Sequence, residues 1–206
     1  IAVADQSAIA NPQSAIPPGG PDAYGYVYSD SLTTGGPAYN WVDVATSGTA
    51  LSFSNKDEGQ VQVTLPLTFT FYGKNYTSLY AATNGYAAFQ NTTVVSQCLP
   101  ANQQPPNTLA ILCADLNVGN TVYHSTTTAY NGHQTFILQY DNVTHTLSGL
   151  TATFQIILDL ADNSIVYQYR SVPTSTVATT TIGINGYANN QNDYLTYCQG
   201  QTGCPP

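Results

Sequence analysis

Residues 60–72 read QVQVTLPLTFTFY, and this alternation constrains the fold more than any other feature of the chain. Val61, Val63 and Leu65 alternate with polar residues, Pro66 interrupts, and Leu67, Phe69 and Phe71 resume on one face. A period of two places every second side chain on the same side of a strand, so the segment buries one face against a second layer, which a helix could not do. Shorter β-rich runs lie at residues 24–28, 41–44, 79–82, 86–89, 109–113, 122–124, 135–140, 153–160, 165–169, 180–184 and 194–198. Dipeptides that tolerate positive φ punctuate them: Asn84-Gly85, Asn131-Gly132, Asp162-Asn163 and Asn185-Gly186. The expectation is an all-β chain: an antiparallel β-sandwich, jelly-roll or Ig-like, of about a dozen strands, with an extended N-terminal tail.

Charge narrows the partners. Only 7% of the 206 residues are charged, and eleven acidic groups against Lys56, Lys74 and Arg170 give a net charge of −8. Such a surface repels phosphate backbones and anionic lipid, so neither nucleic-acid binding nor membrane insertion is expected. No apolar run is long enough to span a bilayer. A chain that starts at Ile1 and holds no Met fits an exported protein whose signal peptide has been removed. With so few ionising groups, the fold is expected to be insensitive to pH over a wide range.

Four cysteines form two pairs close in sequence, without the spacing of a zinc or redox motif. Of three connectivities, Cys98 to Cys113 and Cys198 to Cys204 is preferred, and the first would contribute about 3 kcal/mol by loop closure; four free thiols are the alternative. It would also pin the proline-rich loop at residues 96–108. Sequons at Asn75, Asn91 and Asn142 add to an extracellular or cell-surface reading, with glycans as partners.

Little in the sequence supports catalysis. It holds one Glu, three His, and no nucleophile elbow, zinc-binding HExxH or phosphate-cradling loop, so no enzyme, no cofactor and no metal site is expected. Asp57 and Glu58, with Asp115 and Asp141, are the one arrangement that spacing offers for Ca²⁺, and a solvated loop is the preferred reading. Trp41 is expected in the core, while the sixteen Tyr offer a sugar-stacking surface.

The N-terminus divides the chain into residues 1–21, an apolar tail with a Pro/Gly linker, and residues 22–206, the sandwich. Ile1, Val3, Ile9 and Ile16 suit the apolar side of an added strand. Sixteen extended residues reach roughly 50 Å, enough to leave one domain and enter another. Two burial sites compete: a gap in the tail's own sheet, and the equivalent gap in a neighbouring copy, which is donor-strand complementation and builds a head-to-tail polymer. An Ala-rich helix is disfavoured by Pro12.

The runs GPAYNWVDVATSGTAL (36–51), VTLPLTFTFYGKNYTSLYAATNGYAAF (63–89), FQIILDLADNSIVYQYRSV (154–172) and TIGINGYAN (181–189) resemble an accessory β-sandwich module carried by secreted peptidases and cell-surface proteins of bacteria and archaea. The resemblance implies a folded, non-catalytic sandwich and transfers no catalytic residue. A lone module with a tethered apolar tail is similar in organisation to donor-strand-linked extracellular filament subunits. The leading expectation is a pilus-like or thread-like structural subunit whose partners are further copies of itself. The alternative is a glycan- or substrate-binding accessory module of a secreted hydrolase.

Overall fold

The computed structural model describes residues 2–5, 19–96, 98, 105–119, 121–172, 180–186 and 193–200, with residues 2–5 described as backbone. Among these residues every regular element is a strand. Numbered β1 to β14 in chain order, the strands form two layers. The larger sheet runs β2 (Ser29–Asp30), β1 (Ala2–Asp5), β12 (Ile165–Ser171), β11 (Thr151–Asp159), β10 (Thr135–His145), β9 (Val122–Thr127) and β3 (Thr49–Ala50), with β8 (Leu116–Asn117) paired to the end of β10. The smaller runs β14 (Tyr194–Gln199), β13 (Thr181–Asn185), β7 (Thr108–Cys113), β6 (Tyr86–Ala88), β5 (Lys74–Ala82) and β4 (Gln60–Phe71). Every ladder is antiparallel except the two made by β1, which are parallel.

Alternation decides which side chains meet between the layers. Phe136, Leu138 and Tyr140 of β10, Phe154, Ile156 and Leu158 of β11 and Ile165, Tyr167 and Tyr169 of β12 face Phe69, Phe71, Leu79, Leu109 and Ile111 of the smaller sheet. Three of these core residues carry a hydroxyl that must be satisfied where water is excluded. Each donates to a backbone carbonyl of the opposite sheet: Tyr140 to Ala82 (2.7 Å) and Tyr86 (3.0 Å), Tyr167 to Gly183 (3.0 Å), Tyr169 to Ile111 (2.5 Å). Ile111 and Gly183 lie where the ladders of β13 shift register, and a bulge there turns carbonyls out of the ladder. The tyrosines thus tie the layers as well as filling the core.

Several expectations require correction. β4 is one strand through Pro66; the chain accommodates the proline by a register shift between Thr64 and Phe69 on an edge strand, where a missing amide breaks no central ladder. That shift turns Leu67 outward, 49% exposed, although Phe69 and Phe71 stay buried. Residues 24–28 are not a strand: Asp22 to Tyr26 form a turn, Tyr28 bridges to Gly19, and the strand nearby is the two-residue β2. Residues 41–44 are not a strand. They cross the outer face of the larger sheet, where the Val44 amide donates to Gln139 Oε1 (2.9 Å) and Gln139 Nε2 donates to Asp43 (3.1 Å). Side chains of the sheet, not another strand, satisfy this segment, and Val44 packs on Ile137, Ile157 and Val166. Below it, Gln139, Gln155 and Gln168 lie fully buried in register across β10, β11 and β12.

Candidate functional site

The edge of the larger sheet holds the feature most specific to this chain. β1 lies in a slot between β12 and β2, with Ala2 opposite Val166 and Ser29, and Val3 opposite Tyr167 and Asp30. Parallel neighbours require a long return connection, and more than twenty residues separate β1 from β2. The slot is therefore filled by the chain's own leading residues. Of the sequence-predicted donor residues, Val3 falls within this strand; Ile1, Ile9 and Ile16 lie outside the described residues.

Among the described residues the outer rail, β2, pairs in the sheet with β1 alone, and side chains help hold it to the body. Asp30 is 2% exposed; its Oδ1 accepts from the amides of Leu32 (3.1 Å) and Thr33 (2.9 Å) and from Thr33 Oγ1 (2.7 Å), and its Oδ2 from the Tyr197 hydroxyl (3.1 Å). Tyr28 packs edge-on against Tyr197 at 5.2 Å.

A second anchor lies just upstream. Asp22 Oδ1 accepts the amides of Tyr24, Gly25 and Tyr26, and its Oδ2 accepts the Tyr72 hydroxyl, while the rings of Tyr24, Tyr26 and Phe71 close around Tyr72. Burial, and then the bond to Asp22, push the Tyr72 hydroxyl far above its ordinary pKa. Gly19 also exchanges both backbone bonds with Tyr28. The linker is thus tied to the body at Gly19.

Trp41 is not a core residue. It is half-buried on the outer surface, with Tyr39 near parallel at 6.3 Å (20°) and the Arg170 guanidinium 5.8 Å above its ring; Arg170 also pairs with Asp43 at 3.1 Å. Burial opposes ionisation of Asp43, but hydrogen bonds from Gln139, the Ala45 amide and Arg170 outweigh it and hold the carboxyl below its ordinary range.

The carboxylates singled out by spacing do not assemble into one site. Glu58 accepts from Asn84 (3.1 Å) and is pushed upward by burial and by Asp57 and Asp115, whereas Asp141 bonds to Asn142 and Thr153. Among the described residues, three ligating side chains converge within 4.8 Å at His133, Asp159 and Asp162. Asp159 already accepts from Asn131 (2.6 Å), the Ala161 amide (2.9 Å) and His133 (2.9 Å), and Asp162 accepts the Ser164 amide, so these groups close the β9–β10 and β11–β12 turns. Sequence reasoning missed this set because its members are unremarkable until two turns bring them together.

Cys98 and Cys113 form a disulfide with Cα atoms 5.7 Å apart. Cys198 is buried and disulfide-bonded, and Cys204, its expected partner, lies outside the described residues. Asn75, Asn91 and Asn142 are all exposed, on β5, in the loop after β6 and at the bulge of β10.

Taken together, the two layers of strands among the described residues and the disulfide define an all-β module of extracellular type. The profile of the NIDO related family matches residues 28–203, and the chain belongs to that family. The family and the disulfide point to an extracellular or secreted protein. No curated protein and no solved structure matches the chain.

Proposed function

We propose that this protein is a non-catalytic structural subunit of an extracellular filament, and that copies join head to tail by exchanging the strand β1. The observation that carries the reading is the slot itself: a short parallel strand, remote in sequence from both rails, completes the edge of the larger sheet. A segment that fits the slot within one chain fits the same slot in the next, so exchange keeps every main-chain bond and costs chiefly the freedom of the joined copies. Residues 6–18 would carry the crossing, because the chain is anchored again at Gly19. The self-filled form is then the soluble monomer, and exposed Asn75, Asn91 and Asn142 would place glycans on the finished polymer. Val3→Pro removes a mid-strand amide and blocks pairing on the slot. Sedimentation velocity over a range of concentrations should show the full chain growing into polymers and the variant remaining monomeric with an unchanged circular dichroism spectrum. Equal polymerisation of both would reject the proposal.

A second reading rests on the Trp41 surface. Aromatic rings beside Arg170 and Asp43 suit the stacking and hydrogen bonding of a sugar, as a carbohydrate-binding accessory module would require. It predicts a monomer whose glycan-array signal is lost in Trp41→Ala.

A further inference from the structure

The two sheets end side by side at one flank of the sandwich, where β3 beside β9 borders the larger sheet and β4 borders the smaller. A cavity of about 240 Å³ lies between these borders, lined by residues 47–49, 64–66 and 124–126. Local backbone features shape both walls. Gly48 lies so close to β9 that a Cβ would meet the Val44 and His124 carbonyl oxygens at 2.6 and 2.7 Å, and this close approach sets Ser47 and Thr49 against that strand. On the other wall, the register shift of β4 begins after Thr64, at Leu65 and Pro66. Alternation along β9 places His124 on the same face as the core residue Val122, and its ring stacks on Phe136 at 5.8 Å.

The lining is uniform in its chemistry. None of the nine residues is charged, and Ser47, Thr49, Thr64, His124, Ser125 and Thr126 all carry hydrogen-bonding side chains. Elsewhere the hydroxyls of Thr108, Thr121, Thr135 and Thr181 are used on backbone carbonyls. Among the described residues, the five hydroxyls around the cavity make no such bond. Burial displaces the His124 pKa downward, so near neutral pH its imidazole keeps one donor and one acceptor.

We infer that this cavity is a binding site for a single neutral sugar residue. Hydroxyls on the wall meet hydroxyls on the ligand, whereas an anion would find no cation there and a cation no carboxylate. Leu65 and Pro66 offer apolar surface to the C–H face of a pyranose, which a site for a small ion would not need. The volume falls below the roughly 300–1,000 Å³ of sites for drug-sized ligands, so one ring fits and further residues of a chain lie outside. The site shares no residue with the strand slot or with the Trp41 surface, and it depends on neither reading.

Amide chemical shifts of the full chain test the site. The probes are the methyl glycosides of glucose, galactose and mannose, which stand for the end of a glycan chain, and the same three reducing sugars, which stand for free ligand. Glucuronic acid and glucosamine serve as charged counterparts and should bind more weakly. At least one neutral probe should shift the amides of residues 47–49, 64, 65 and 124–126, with a Kd in the millimolar range expected of one ring. Binding of either form supports the site, and the tighter of the two identifies the source. Thr64→Val and Thr126→Val keep the β-branched shape, and the same spectra report their fold; each should weaken binding about three- to tenfold, while Trp41→Ala should leave it unchanged. No shift at these amides with any neutral probe, or undiminished affinity in both valine variants, would overturn the inference. Shifts gathered around Trp41 and lost in Trp41→Ala would also overturn it and move the sugar to that surface.

Discussion

Asn84 does more than its place in a turn requires. It sits with Thr83 and Gly85 between β5 and β6, is fully buried, accepts the Leu116 amide at 2.9 Å and donates to the Val95 carbonyl and Glu58. Gly85 is equally constrained: φ is +70°, and a Cβ would lie 2.2 Å from the Leu112 carbonyl oxygen. The dipeptide announced a turn, but nothing local announced that its side chain would tie together three loops. Asn84→Ala should lower stability by about 2–3 kcal/mol in urea unfolding, since it orphans several buried groups at once. Trp41 was illegible for a related reason. In WVDV the alternation is that of a strand, and only the buried Gln139 side chain, distant in sequence, explains why its backbone needs no ladder. Ionisation is also decided residue by residue. Burial holds the His124 and His145 pKa values below the ordinary 6.5. Such groups stabilise the fold above the unfolded pKa, and that contribution declines as pH falls from about 6.5 towards the folded values. Asp159, held down by Asn131, the Ala161 amide and His133 against the effect of burial, adds a second loss as pH falls below 3.8. Melting temperature should therefore decrease in two steps on acidification, and His145→Gln should flatten the first.

At the scale of elements, the strongest alternation gave the most legible strand. β4 lies where the alternation is strongest, as one strand where Pro66 suggested two, and Asn84-Gly85, Asn131-Gly132 and Asp162-Asn163 separate strands in the places expected, because hairpin chemistry is local. What escaped was the consequence of Pro66, since a register shift depends on the partner strand and on β4 being at an edge. Two-residue strands such as β2, β3 and β8 have too few residues to show a period at all. The Cys98–Cys113 bond was readable from spacing, and it closes a loop over the outer face of the smaller sheet, where Val94 and Val95 cover Ala82, Tyr86 and Ala110. Replacing both cysteines by Ala should lower stability by about 3 kcal/mol for a loop of this length. The inter-sheet tyrosines invite a finer test: Tyr140→Phe leaves two buried carbonyls without their donor and should cost about 1–2 kcal/mol by chemical denaturation, with the fold retained.

For the whole molecule, the sequence pointed to an apolar leading segment in need of a sheet and left open whose sheet it would be. Within one chain the slot receives its own strand, held by parallel pairing to β12 and to a rail that Asp30 and Tyr197 keep in place. The proposed filament requires the same pairing between copies. Ala4 and Gln168 are register partners in the slot, so Ala4→Cys combined with Gln168→Cys reports directly on which chain supplies the strand. After mild oxidation of concentrated protein, a denaturing gel without reductant should show a ladder of covalently linked multimers that collapses to monomer on reduction. Crosslinked protein migrating entirely as monomer would contradict strand exchange.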